Sequence, residues 1–216
     1  MIAIPGGTFL MGQVDGKDDE KPVHPVTLKP FRICRYPITN SHWEVFRRET
    51  GRDELLYMHS SAPATSVNWF DAVAFCNWLS ATWFMPVRLP SEAEWEFAAR
   101  GGVEQQPYPW GWTPREYAPG RWMNGPEPVA HDDPNPFGLF DMGQNVHEWC
   151  EDWYDPGYYK ASPKENPRGP ANGERRASRG GAWRHQIKCS RCAARSSIPP
   201  EFKYADYGFR IAADAA

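Results

Sequence analysis

The side chains of this 216-residue chain best suited to chemistry are a handful of cysteines and histidines and two blocks of charge, most of them in its second half. Cys189-Ser-Arg-Cys192 is a Cys-x-x-Cys, and His185 stands four residues before its first thiol. Two thiols and an imidazole suit a soft transition metal or a redox couple, so a rearranged His185/Cys189 oxidoreductase site is one reading. Two things count against it. A lone Cys-x-x-Cys without a second pair is weak evidence for a metal, and on a strand its two cysteines point to opposite faces. Cys34, Cys76 and Cys150 are scattered, and five cysteines in all argue against a disulfide framework. The six histidines (His24, His42, His59, His131, His147, His185) show no pair at ligand spacing, so an intrinsic iron site is not expected.

Charge is segregated. From Trp122 to Tyr159 there are eight acids and no Lys or Arg; from Arg175 to Pro200 there are seven bases and no acid. The plain expectation is that the blocks pair with each other inside the fold, Arg191 and Arg195 first. The sharper one is that some acids hold a cation while some bases face an anionic ligand.

Regular elements must position these groups. Residues 8–12 and 26–38 read as strands. Thr39-Asn40 then caps a short helix carrying Trp43, Phe46 and Arg47, which Gly51 stops. A second helix follows Asn68, with Trp69, Val73, Cys76 and Leu79 at helical spacing and Asp71 where a capping box wants an acid. Ser91-Glu-Ala-Glu94 is a second such box, and Gly101-Gly102 ends its helix. After Gly102 regular structure largely stops for roughly seventy residues, a length expected only where a loop is functional or tied down by something besides backbone pairing. Strand-like pieces return near 179–183, 190–196 and 207–212.

Composition bounds the class. The length suits one domain, residues 1–216, with a single substantial core. With 24 basic against 27 acidic residues there is no electrostatic case for a nucleic-acid partner. Eleven Trp with 22 Pro and 18 Gly suggest irregular segments pinned by large rings. No early stretch pairs a basic start with an apolar run, and no apolar segment reaches membrane-spanning length. A cytoplasmic protein without a membrane partner is the expectation, a module cut from a longer chain the other reading.

An ordered series of motifs runs along nearly the whole chain: Gly6-Gly7-x-Phe9-x-Met11-Gly12, Tyr36-Pro-Ile-Thr-Asn40, Val67-Asn-Trp69-x-Asp71-Ala72, Arg88-Leu-Pro-Ser-Glu-Ala-Glu-Trp-Glu96 and Tyr108-Pro-Trp-Gly111. Asn145-Val-x-Glu148-Trp149, Arg179-Gly-Gly-Ala-Trp183, Arg191-Cys-Ala-Ala-Arg195 and Tyr207-Gly-Phe-Arg210 complete it. The series resembles the formylglycine-generating enzyme (sulfatase-modifying factor) family. That resemblance implies an α+β, C-type-lectin-like fold with few helices, short twisted strands and long irregular loops.

It also implies particular residues. A structural calcium would be bound by side chains of Asp141 and Glu148 and carbonyls of Gln144 and Val146, although the family's usual Gly stands here as Gln144. Calcium wants six to eight oxygens, which carboxylates flanking a turn of carbonyls can supply in part; the plainer role for Glu148 is to pair with a buried arginine. Cys76 and Cys192 match cysteines that are bridged in secreted members, but their would-be partners are Ala98 and Ile211 here, so all five thiols are expected free. The two copper-binding cysteines of the family fall on His185 and Ile187, in an interval about three residues shorter than in the active enzymes. Copper is therefore not expected, nor is oxidation of a Cys-x-Pro-x-Arg peptide to formylglycine.

The resulting expectation is a non-catalytic or repurposed domain binding a small ligand or protein partner of anionic character at the former active-site cleft. Trp183, Arg184, His185 and Lys188 would line it, with Trp112 and Trp122 from the long loops. Arg184 and Lys188 carry no assigned structural duty on this reading, whereas Arg191, Arg195 and Arg210 are expected buried against carboxylates. A ligand-display variable protein of a diversity-generating retroelement is the alternative within the same fold.

Overall fold

The computed structural model describes residues 1–52, 59–116 and 125–215. Among these residues nine short strands and three α-helices alternate with long loops. Strands β1 (Ile2–Ile4), β4 (Phe31–Ile33) and β9 (Ala212–Asp214) form one antiparallel sheet that joins the beginning of the chain to its end. Strands β2 (Gly7–Met11) and β3 (His24–Leu28) form a hairpin whose Phe9, Met11, Val26 and Leu28 point into the core. The stretch expected as one strand over 26–38 is thus two, turned at Lys29-Pro30, where a proline cannot donate to a ladder.

Each helix starts as its capping residues predict. Thr39, Asn68 and Ser91 accept from the backbone N–H three residues on, and the side chains of His42, Asp71 and Glu94 reciprocate. Helix α1 (Asn40–Thr50) ends at Gly51 in the left-handed region, and α2 (Trp69–Trp83) buries Ala72, Phe75, Cys76 and Leu79. Trp43, Phe46, Phe75, Trp149 and Phe209 pack around them as one core cluster.

Helix α3 (Glu92–Arg100) is buried on every side, including Glu92, Glu96 and Arg100. Charges enclosed this way persist only when paired and hydrogen-bonded. Arg179 reaches Glu92 (2.9 Å) and Glu96 (3.1 Å), Arg195 takes both oxygens of Glu92 (2.8 and 2.9 Å), and Arg100 holds Glu96 (2.8 Å). Burial alone would raise the pKa of Glu92; the charges of Arg195 and Arg179 outweigh it and bring it down to about 2.

The expected structureless stretch after Gly102 contains the central strand of the largest sheet, β5 (His147–Trp153). With β6 (Arg176–Arg179), β7 (Ser196–Ile198) and β8 (Tyr207–Gly208) it forms the order β7-β6-β5-β8, with β8 parallel to β5. Because both faces of β5 are covered, Glu148 and Asp152 are buried as fully as Trp149 and Cys150. The strand therefore lacks the polar–apolar alternation that marks a half-exposed one. The piece expected near 190–196 is instead a 3-10 turn, Ile187–Ser190, followed by coil and then β7. None of the five cysteines is bridged, and Cys76, Cys150 and Cys192 lie in the core. Among the described residues no helix is long and apolar enough to cross a membrane.

Candidate functional site

The loop between β6 and β7 leaves the sheet through Gly180-Gly181. Both residues have positive φ, and a Cβ on Gly181 would lie 2.8 Å from the Cys189 carbonyl, so the chain folds back on itself too closely for a side chain there. The returning segment exposes Arg184, Gln186 and Lys188 and half-buries Trp183, His185, Ile187 and Cys189. It is pinned by the Trp183 amide, which donates to the Asn145 carbonyl (3.0 Å), and by the His185 amide, which donates to Ala182 (2.9 Å).

Beneath it the parallel pairing of β5 with β8 sets His147 opposite Tyr207, and the His147 amide donates to the carbonyl of Asp206 (2.8 Å). Three side chains meet there. His147 Nε2 lies 2.9 Å from His185 Nδ1, and His185 Nε2 lies 3.4 Å from Asp206 Oδ2. Burial, with His185 beside it, lowers the pKa of His147 to about 3, and burial also lowers that of His185 despite the opposing charge of Asp206. The sequence reading missed this histidine pair because its members are 38 positions apart; local ligand spacing cannot see a contact made by a sheet. The signals available were the variable position of Asn145-Val-x-Glu148-Trp149 and the acid just before Tyr207.

Arg184 has a structural duty after all. Its Nε and Nη2 both donate to Asp206, at 2.9 and 2.7 Å, so its charge is met from within the protein. Lys188 is exposed and, among the described residues, has no ion pair. Trp112 is exposed on the loop after Trp110, and no hydrogen bond or ring contact of the described residues ties it to 183–188. Trp122 lies outside the described residues. Cys189 does not join His185: among the described residues the His, Cys, Asp and Glu side chains whose donor atoms converge are His147, His185 and Asp206.

Arg191, Arg195 and Arg210 each meet a carboxylate as expected, but the two charged blocks do not pair with each other: among the described residues no base of 175–200 forms an ion pair with an acid of 122–159. Arg191 pairs with Glu20 (2.6 Å), and Arg179 and Arg195 turn to α3. Of the eight acids only Glu148 receives an arginine from the last motif, because the bases of the 175–200 block reach the nearer carboxylates on α3 and at Glu20 and Asp206. Glu148 is fully buried and accepts from Arg210 Nε (2.6 Å) and Nη2 (2.7 Å) and from the Trp95 indole (2.7 Å). Asp141 accepts from the Ala130 amide (2.8 Å), and burial raises its pKa, with Glu148 adding to the effect. Gln144 adopts a positive φ of +78°, the left-handed region that ordinarily favours glycine.

Small strands and packed loops surround an all-buried helix, and a returning polar loop lies over a histidine pair: the domain is built largely of loops. The family model of the sulfatase-modifying factor enzyme 1-like domain matches residues 1–215, and the chain belongs to that family, with its C-type-lectin-like fold. The formylglycine-generating enzyme of Streptomyces coelicolor is 33% identical over 288 residues, covering 99% of this chain and 89% of that protein. A serine/threonine-protein kinase, pkn1, of Chlamydia caviae is 34% identical over 237 residues, covering 98% of this chain but 37% of its own length. The solved structure of Treponema denticola variable protein 1 superposes with a TM-score of 0.87 at 25% identity, covering 100% of this chain and 95% of that one.

Proposed function

We propose that this chain is a repurposed member of its family that binds a ligand or partner at the 183–188 loop and does not form formylglycine. The observation that carries the reading is the fate of the two positions matching the family's thiols. His185 is engaged by His147 and Asp206, and Ile187 offers only hydrocarbon. Copper(I) wants soft thiolates in close opposition, and neither residue supplies one.

What the loop offers instead is a half-exposed Trp183 ring for stacking and the unpaired ammonium of Lys188 for an anionic group. Arg184 contributes less than its position in the sequence suggested, since Asp206 already neutralises it. A display role finds support in the likeness to Treponema denticola variable protein 1 and in the exposure of Trp112, Phe202 and Tyr204. Calcium at the Asp141 turn belongs to the same proposal. Asp141 and Glu148 are two carboxylates beside the one guanidinium of Arg210, which leaves a half-buried negative charge for a cation to meet.

Two measurements test the reading. Incubation with copper, oxygen, reductant and a Cys-x-Pro-x-Arg peptide should leave the peptide mass unchanged; a product that has exchanged sulfur and two hydrogens for one oxygen refutes it. A thermal-shift screen of phosphorylated and carboxylated small molecules should yield binders whose effect weakens in Lys188→Ala. Binders indifferent to that change would place the site elsewhere.

A further inference from the structure

We propose that His147, His185 and Asp206 form a binding site for a divalent first-row transition metal ion. The site is distinct from the family's cysteine pair and from any calcium at Asp141. One donor atom from each of the three side chains lies within 4.8 Å of the others. The 2.9 Å between His147 Nε2 and His185 Nδ1 is the edge expected for two nitrogens at right angles around one ion, each about 2.1 Å from it. Two imidazole nitrogens favour nickel(II), copper(II), iron(II) or zinc over calcium or magnesium, which prefer oxygen donors alone.

The surroundings fit a built site. Asp206 and His147 are buried, so their positions are fixed by the sheet, and His147 is stacked on the Tyr207 ring (centroids 4.7 Å apart, planes at 25°). His147 Nδ1 is buried without a hydrogen bond and faces the backbone of Arg179. In the metal-free arrangement His147 Nε2 and His185 Nδ1 share one hydrogen bond. With an ion on His147 Nε2 the ring's proton would sit on Nδ1, on the side of the Arg179 backbone, as the outer nitrogen of a ligating histidine ordinarily requires. His185 is half-exposed on its loop, which leaves further coordination positions open to solvent.

Arg184 is the opposing element. Its guanidinium occupies Asp206 from the exposed side and repels a cation, so this site should be weaker than its donors alone would make it. That supplies a signature which a nonspecific surface histidine would lack.

The inference does not rest on the ligand reading, because the ion itself is the probe. Chelator-stripped protein is titrated with cobalt(II), followed by its visible d–d absorption, and with zinc(II) in competition. One equivalent should bind. His185→Ala should weaken it by about a hundredfold or more, Asp206→Asn by roughly tenfold or more, and Arg184→Ala should tighten it by roughly tenfold. Lys188→Ala should leave it unchanged, which separates this site from the ligand surface. His185 sits on a half-exposed loop, so its variant remains folded, and Asp206→Asn preserves shape at the buried end. Absence of binding at millimolar metal overturns the proposal. So does binding that survives His185→Ala, or a thiolate charge-transfer band that disappears in Cys189→Ser.

Discussion

Removing the Arg195 side chain tests the buried charge network most directly. Arg195 is nearly enclosed, gives two hydrogen bonds to Glu92 and two to the carbonyls of Asp19 and Asp155, and lies over the rings of Tyr159 and Tyr154. Arg195→Ala leaves Glu92 with Arg179 alone in a site closed to water. Breaking a buried pair from one side costs about 3–5 kcal/mol. The same network supplies a pH signature. Glu92 falls from 4.5 in the unfolded chain to about 2 in the fold, which at ~1.4 kcal/mol per unit contributes about 3 kcal/mol at pH 7. A depressed carboxylate pKa stabilises fully above the unfolded value and loses its effect as pH falls through the folded one. Roughly 1 kcal/mol of it is therefore left at pH 3. In Arg195→Ala the depression is smaller, so parent and variant should converge on acidification. Urea denaturation followed by tryptophan fluorescence at pH 7, 5 and 3.5 reads both effects. A loss below about 1 kcal/mol at pH 7, or a difference that stays constant to pH 3.5, would refute the argument.

Further outcomes are expected. Metal-stripped protein should melt higher with calcium, by up to about 2.7 kcal/mol of stabilisation at a hundredfold excess over the dissociation constant, and Asp141→Asn should abolish the gain; an indifferent melting temperature counts against the Asp141 turn as a cation site. Thiol titration in denaturant without reductant should find all five cysteines free, while a shortfall with mass evidence of a bridge would show that reading wrong.

The elements visible in the sequence were those whose cause is local. Ser91 with Glu94, Asn68 with Asp71 and Thr39 ahead of α1 place the helix starts, because a cap and its partner are three residues apart and act through one turn of backbone. The ordered motifs carried the family and its fold, and with them the burial of Arg195 and Arg210, though Arg191 stays partly exposed against Glu20. Local reasoning could not see β5, since a strand covered on both faces mixes Glu148 and Asp152 with Trp149 and Cys150 and shows no period of two. Nor could it assign partners. The acidic and basic blocks were each legible, but carboxylates of α3 take Arg179 and Arg195, while Asp206 takes Arg184. The meeting of His147 with His185 and Asp206 is the sharpest case. It is made by a parallel pairing of β5 with β8 and by a loop that folds back at Gly181, contacts between residues 38 and 21 positions apart that no spacing rule encodes. Residue types and local periods determined which groups this protein carries. Long-range packing alone decided which of them touch, because a buried charge or imidazole is satisfied by whatever the whole fold brings to it.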